Sequence, residues 1–202
     1  MARKALRGCG LAAALLLAGH LAQSQSQVPA SSAVQEPPRA AACMACHGPQ
    51  GNSQIPAMPS IAGQPQVFIE NQLVLIREGL RDVPAMKGLL EGVTDAEIVQ
   101  LSRFFAAQKP VSTAKGPANQ QVYQRGQALA ARGLCGSCHL PDFSGRAQIP
   151  RLAGQHEEFL LQSLKQFRDH PGPGRDTIMA ASLYGFKDDE LADMAHFLAH
   201  HR

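Results

Sequence analysis

The sequence predicts an all-α fold: two small helical domains in tandem, each wrapped around one covalently attached prosthetic group. Three observations lead there. The pentapeptide Cys43-Met44-Ala45-Cys46-His47 recurs as Cys135-Gly136-Ser137-Cys138-His139, 92 residues further on. The hexapeptide Pro59-Ser60-Ile61-Ala62-Gly63-Gln64 recurs as Pro150-Arg151-Leu152-Ala153-Gly154-Gln155, each time ahead of an amphipathic run. A loop with one methionine, Met86 or Met179, then leads into a last helical run in each half. Matching blocks in matching order mark an internal repeat.

Cys-x-x-Cys-His is the attachment signature of a c-type haem. Two thiols add to the two vinyl groups of the ring, so they must sit about one helical turn apart. The histidine that follows reaches the iron as proximal ligand. The thiols of Cys43, Cys46, Cys135 and Cys138 would therefore attach two haem c groups, with His47 and His139 as proximal ligands. Two disulfides, a thioredoxin-like redox pair and zinc are the rival uses of four such cysteines. Zinc knuckles normally pair at about 15–20 residues, whereas 88 residues lie between Cys46 and Cys135. Neither a disulfide nor a redox pair needs a histidine after each second cysteine.

In chain order, residues 1–22 read as a signal peptide. Arg3, Lys4 and Arg7 form its positive end, Leu11 to Leu21 its apolar stretch, and Ala22 the small residue at the cleavage point. Cys9 precedes the apolar stretch, where a lipoprotein cysteine would follow it, and leaves with the signal. Residues 23–38 are rich in Gln, Ser, Ala and Pro, a flexible mature N-terminus. Domain 1 is assigned to 39–107, a linker with Lys109-Pro110 and Gly116-Pro117 to 108–118, and domain 2 to 119–202. The second half has a full leading helix, about Asn119 to Arg132, where the first has a stub after Pro37-Pro38.

The amphipathic runs place Phe68, Leu73 and Ile76 in step with Phe159, Leu164 and Phe167, a helical spacing. Pro65 suits a first helical position, and His156 a surface position on its helix. Val93 and Phe186 open the last helix of each half. Thr94 and Glu97 have capping-box spacing, and Asp188 suits a cap in the second copy. Halves this small are short of apolar core, and a buried haem supplies it, so the apoprotein is expected to fold poorly.

The sixth iron ligand is argued by elimination. After His20 leaves with the signal, domain 1 holds no histidine but His47. Met44 lies inside the pentapeptide and Met58 close behind it, which leaves Met86, 39 residues past His47. Met179 lies 40 residues past His139 and matches Met86 in the repeat, while Met194 falls at a core position of the last helix. His156, His170, His196, His200 and His201 are rival ligands in domain 2, and His170, in the loop before Met179, is the serious one. Methionine opposite histidine raises a haem's reduction potential. The carbonyls of Pro59 and Pro150 are placed to accept the Nδ1–H bonds that orient the proximal imidazoles. Iron with both axial positions filled is suited to outer-sphere electron transfer rather than to enzymatic turnover.

The formal charge is +3, from 19 basic and 16 acidic residues. Loss of Arg3, Lys4 and Arg7 brings it to zero, and haem propionates make the mature protein mildly acidic. A nucleic-acid role is excluded by the lack of any basic run or aromatic platform.

These residues resemble the tandem diheme class I cytochromes c of the cytochrome c4 family. The resemblance covers about residues 40–200. It is carried by Cys43 to Gly48, Gly51-Asn52-Ser53, both Pro-x-(Ile/Leu)-Ala-Gly-Gln stretches, Met86, Met179 and both final helices. It departs at His139-Leu140-Pro141, where the family has glycine after the histidine. The resemblance implies a periplasmic one-electron carrier in a respiratory chain, loosely associated with the membrane surface at most. Its donor would be a cytochrome bc complex or a dehydrogenase, and its acceptor a terminal oxidase. It also implies haem propionates near a shared interface between the halves. The alternatives are a cytochrome subunit of a periplasmic dehydrogenase and, less in keeping with filled axial positions, a diheme peroxidase.

Overall fold

A computed structural model describes residues 34–202. The predicted signal, Cys9 and most of the predicted flexible N-terminus lie outside those residues. Eight α-helices follow in order: α1 Ala40–His47, α2 Gln66–Arg77, α3 Asp95–Ala106, α4 Gln120–Arg132, α5 Cys135–His139, α6 Glu157–Asp169, α7 Thr177–Ser182 and α8 Asp188–His200. The described residues contain no strand beyond one isolated bridge, Arg146 to Ile149. None of their helices is long and apolar enough to cross a membrane.

Helix α1 carries the first pentapeptide at its C-terminal end. In the second half the same segment is broken in two. Helix α4 starts at Asn119, whose side chain accepts from the backbone N–H groups of Gln121 and Val122 at 3.2 and 3.3 Å. It ends at Gly133, and Leu134 turns the chain through a left-handed conformation, φ +54°, into α5.

Pro65 precedes α2 with φ −55° and ψ 134°, so it sits at the cap rather than at the predicted first helical position. Its ψ is still extended, and the helix begins one residue later. The last helices also begin later than predicted, at Asp95 and Asp188. Thr94 caps α3 in a capping box, with Glu97 N–H donating to Thr94 Oγ1 at 3.3 Å and Thr94 N–H to Glu97 Oε2 at 2.9 Å. Asp188 does not cap α8. It is the first helical residue, and it pairs with Lys165 at 2.7 Å and Arg168 at 2.6 Å. Glu190 instead accepts the Lys187 N–H at 2.8 Å.

The carbonyls of Val93 and Phe186, just ahead of these helices, are each held by an arginine from the preceding long helix. Arg77 donates to Val93 O and Arg168 to Phe186 O, both at 2.9 Å. This repeated tie fixes the angle at which α3 returns to α2 and α8 to α6.

Packing differs between the halves. In the second, α4 crosses α8 at Gly126, where a Cβ would lie 2.0 Å from the Asp193 carbonyl oxygen. Arg125–Asp193 and Arg132–Glu190 pairs, at 2.6 and 2.8 Å, flank the crossing. Beneath it lies one continuous core around Leu164, Leu183, Leu191, Met194, Phe197 and Leu198. Among the described residues the first half has no separate helix equivalent to α4, and its core falls into two smaller clusters. One gathers Ala40, Ile69, Leu101, Phe104 and Phe105; the other gathers Leu90, Val93 and Ile98.

Residues 108–118 are tied to both halves. Asn52 accepts the Val111 N–H at 2.8 Å and donates to Lys109 O at 3.2 Å. The Thr113 N–H donates to Gly154 O at 3.0 Å.

Candidate functional site

The first pentapeptide forms the end of α1 and the second the whole of α5, so in each the two thiols and the histidine lie within little more than one turn. Cys43 and Cys135 are half-buried and Cys46 and Cys138 exposed, and none of the four is paired in a disulfide. Burial pushes the Cys43 and Cys135 thiols above the ordinary cysteine value.

His47 and His139 are both buried. His47 donates from Nδ1 to the Pro59 carbonyl at 2.8 Å, and His139 from Nδ1 to the Pro150 carbonyl at 2.8 Å. A carbonyl oxygen can only accept, which fixes the proton on Nδ1 and leaves Nε2 as the nitrogen able to bind a metal. Burial lowers both imidazole pKa values, against the opposing pull of the proline carbonyls. A neutral ring is the form that ligates iron.

The methionines follow the long helices in the predicted order, but on short helical turns rather than open loops. Met86 ends a short helical turn, Pro84–Met86, and packs half-buried against the Leu90–Val93–Ile98 cluster. Met179 lies on α7, whose first turn is capped by Asp176 accepting the Met179 N–H at 2.8 Å, and packs against the core of the second half. Met194 is buried in α8. Met44 accepts the Gln50 N–H at 3.3 Å through its sulfur. His170 is an exposed residue at the end of α6. His196 and His200 lie on α8, His196 with its Nδ1 3.0 Å from Glu157. His201 packs edge-on against Phe143 and Phe197.

One prediction is corrected. His156 is not a surface helix residue but is buried at the N-terminal cap of α6, where its Nε2 donates to Ser53 O at 3.0 Å in the other half. The residues beside it form a contact that the sequence did not disclose. Gln155 accepts the Ser60 N–H at 2.9 Å and donates to Ser60 O at 2.8 Å. Gln64 accepts the Arg151 N–H at 2.9 Å and donates to Arg151 O at 2.9 Å.

A second unforeseen feature is a pair of cations. The chain after α2 meets the chain after α6 so closely that a Cβ on Gly174 would lie 2.4 Å from Leu80 O. Arg81, bonded to Gln72, and Arg175, bonded to Gln166 at 2.8 Å, stand near each other there. Burial, and secondarily the charge of Arg175, lowers the Arg81 pKa. Two like charges held together favour an anionic partner. Thiols one turn apart, an imidazole with Nε2 uncommitted, a thioether on a following loop and cations suited to propionates together fit a c-type haem in each half.

Two such attachment sites on one helical chain define the class: a diheme c-type cytochrome. The comparisons carry this further. Residues 123–202 match the family model "Cytochrome c". The chain is 30% identical over 177 residues to a cytochrome c4 of Azotobacter vinelandii, covering 79% of this chain and 84% of that one. It is 30% identical to a "thiosulfate dehydrogenase electron acceptor" of Thiomonas intermedia, covering 70% and 69%. The crystal structure of reduced cytochrome c4 from Pseudomonas stutzeri superposes with a TM-score of 0.74 at 28% identity, over 81% of this chain and 95% of that one. The chain belongs to the cytochrome c4 family. It is an electron-transfer protein that carries two haem c groups and exchanges electrons with redox protein partners.

Proposed function

We propose that this diheme carrier works in the periplasm and passes electrons toward a terminal oxidase, drawing them from a cytochrome bc complex or a dehydrogenase. In this reading Cys43 and Cys46 attach one haem and Cys135 and Cys138 the other. His47 with Met86, and His139 with Met179, would ligate the two irons. The domains are 39–107 and 119–202, joined by 108–118. The observation that carries the proposal is the twice-made proximal arrangement, a buried histidine with Nδ1 at 2.8 Å from a proline carbonyl. In both halves it is followed by a methionine loop.

The haem iron supplies a one-electron ferric/ferrous couple. The protein's residues determine how that couple behaves. The Pro59 and Pro150 carbonyls hold each imidazole in its Nδ1–H tautomer and correctly turned, and burial keeps it neutral, so no proton has to move with the electron. Bound to the irons, the thioethers of Met86 and Met179 would favour the reduced state and would leave no ligand site free for peroxide. Arg81 and Arg175 would neutralise propionates where the halves meet.

Potentiometric titration with optical detection tests this. Two one-electron steps, a thioether-to-iron charge-transfer band in the oxidised protein and no high-spin component are expected. A high-spin component would overturn His/Met ligation at both irons and restore the peroxidase reading.

A second reading is favoured by the likeness to a thiosulfate dehydrogenase electron acceptor. Here the chain would be the partner cytochrome of a periplasmic dehydrogenase. Its haem chemistry is the same and only the donor differs. Reduction rates with each candidate donor separate the two readings.

A further inference from the structure

The glutamine contacts between the halves end on particular peptide groups. The peptide joining Pro59 to Ser60 offers its carbonyl to His47 Nδ1 at 2.8 Å and its N–H to Gln155 Oε1 at 2.9 Å. The peptide joining Pro150 to Arg151 offers its carbonyl to His139 Nδ1 at 2.8 Å and its N–H to Gln64 Oε1 at 2.9 Å. Each glutamine amide also donates from Nε2 to the next carbonyl, Ser60 O at 2.8 Å or Arg151 O at 2.9 Å. Ser60 and Arg151, the residues that follow these two carbonyls, are thus each held at N–H and at C=O by one planar amide. Gln64, Gln155 and Ser60 are all buried, so water does not compete for these bonds.

We propose that Gln64 and Gln155 are crossed positioning residues, each setting the proximal histidine of the opposite half. The inference rests on His47 and His139 being the proximal ligands. A hydrogen bond accepted from a peptide N–H polarises that peptide and makes its carbonyl a better acceptor. A better acceptor draws the Nδ1 proton away from the imidazole and raises the basicity of the ring toward a metal. That favours the ferric state. Gln155 therefore lowers the potential of the haem on Cys43 and Cys46, and Gln64 that of the haem on Cys135 and Cys138. The two bonds of each amide together fix the backbone at Ser60 or Arg151, which limits rotation of the proline carbonyl just before it and so holds the imidazole bonded there.

The experiment uses the holoprotein with Gln155→Leu and, separately, Gln64→Leu. Both changes keep approximate volume and remove the polar atoms. The two potentials are read by redox titration, with each haem assigned by its NMR resonances. The expected result is crossed: Gln155→Leu raises the potential of the first haem more than the second, and Gln64→Leu does the reverse. Equal shifts, no shift, or a larger shift in the altered half overturns the proposal.

A measurement on the unaltered protein stands in should a variant fail to fold. The amide hydrogens of Ser60 and Arg151 should exchange far more slowly than those of exposed loop residues, and exchange at loop rates refutes the clamp. Failure of the ligand assignment looks different. The ring resonances of His47 and His139 would then lack the large haem ring-current shift in the reduced protein, whatever the glutamine variants do.

Discussion

Leu140 is the most informative single position for a stability measurement. It follows the proximal histidine of the second half, as Gly48 does in the first. Gly48 has φ +76° and ψ 173°, and Leu140 has φ +69° and ψ 157°, nearly the same conformation. This region is open essentially to glycine alone, and a side chain held there costs about 1–3 kcal/mol. Leu140→Gly alone would mix strain relief with loss of the half-buried leucine side chain. Comparison with Leu140→Ala removes that ambiguity, because alanine loses the same contacts but keeps the Cβ. Glycine relieves the strain but gives back about 0.4–1 kcal/mol through its freer unfolded chain. The glycine variant should therefore be the more stable of the two by about 1 kcal/mol, the reverse of their order in a helix.

Chemical denaturation of the oxidised holoproteins, followed by circular dichroism and by the haem spectrum, reads this difference. In a thermal scan it corresponds to about 4–8 °C if the second half unfolds alone, and about 2–4 °C if the whole chain unfolds at once. The haem spectrum should stay the same in both variants, since the bond from His139 to Pro150 is untouched. An alanine variant equal to or more stable than the glycine variant would falsify the strain argument.

Three further outcomes are expected. Met86→Ala should lower the potential of one haem and leave the other near its original value, and a titration in which neither moves would remove Met86 from the iron. Gly126→Ala would put a methyl group 2.0 Å from the Asp193 carbonyl. It should cost about 1–3 kcal/mol by forcing α4 off α8, and an unchanged denaturation midpoint would contradict that close crossing. The Thr94 backbone and side chain and Arg39 together hold the Glu97 carboxylate at about 2, below its ordinary value. A depressed carboxylate contributes stability that is full above its unfolded pKa and is lost as pH falls toward about 2. Glu97→Gln should therefore flatten the stability profile between about pH 4.5 and 2, and an unaltered acid limb would argue against the cap.

The haem attachment helices, the long helices and the methionine loops were legible in the sequence because each is written locally and then repeated. Phe68 and Phe159, or Thr94 and Glu97, carry their meaning within a few residues. The contacts between halves were not legible, since Gln64 meets Arg151, and Gln155 meets Ser60, across 87 and 95 residues. The repeated glutamine was visible, but nothing in its spacing distinguishes a helix leader from a clamp. His156 was misjudged for the same reason: a polar residue ahead of an amphipathic run reads as exposed until its partner, Ser53, is known. Asp188 was misassigned by one position, within the ordinary uncertainty of helix ends. The left-handed Leu140 could be suspected only because Gly48 occupies its place in the other copy.

The exchange of glutamines has the form of a twofold axis. Gln64 does to Arg151 what Gln155 does to Ser60, which is the pattern of an isologous interface between identical subunits. Two separate copies of an ancestral half could have met through this same surface, at a concentration set by the cell. Joining them by eleven residues replaces that dependence with a fixed local concentration. It also frees the copies to diverge. One copy has glycine after its histidine and, among the described residues, no separate leading helix. The other has the helix and carries a leucine in the glycine's place.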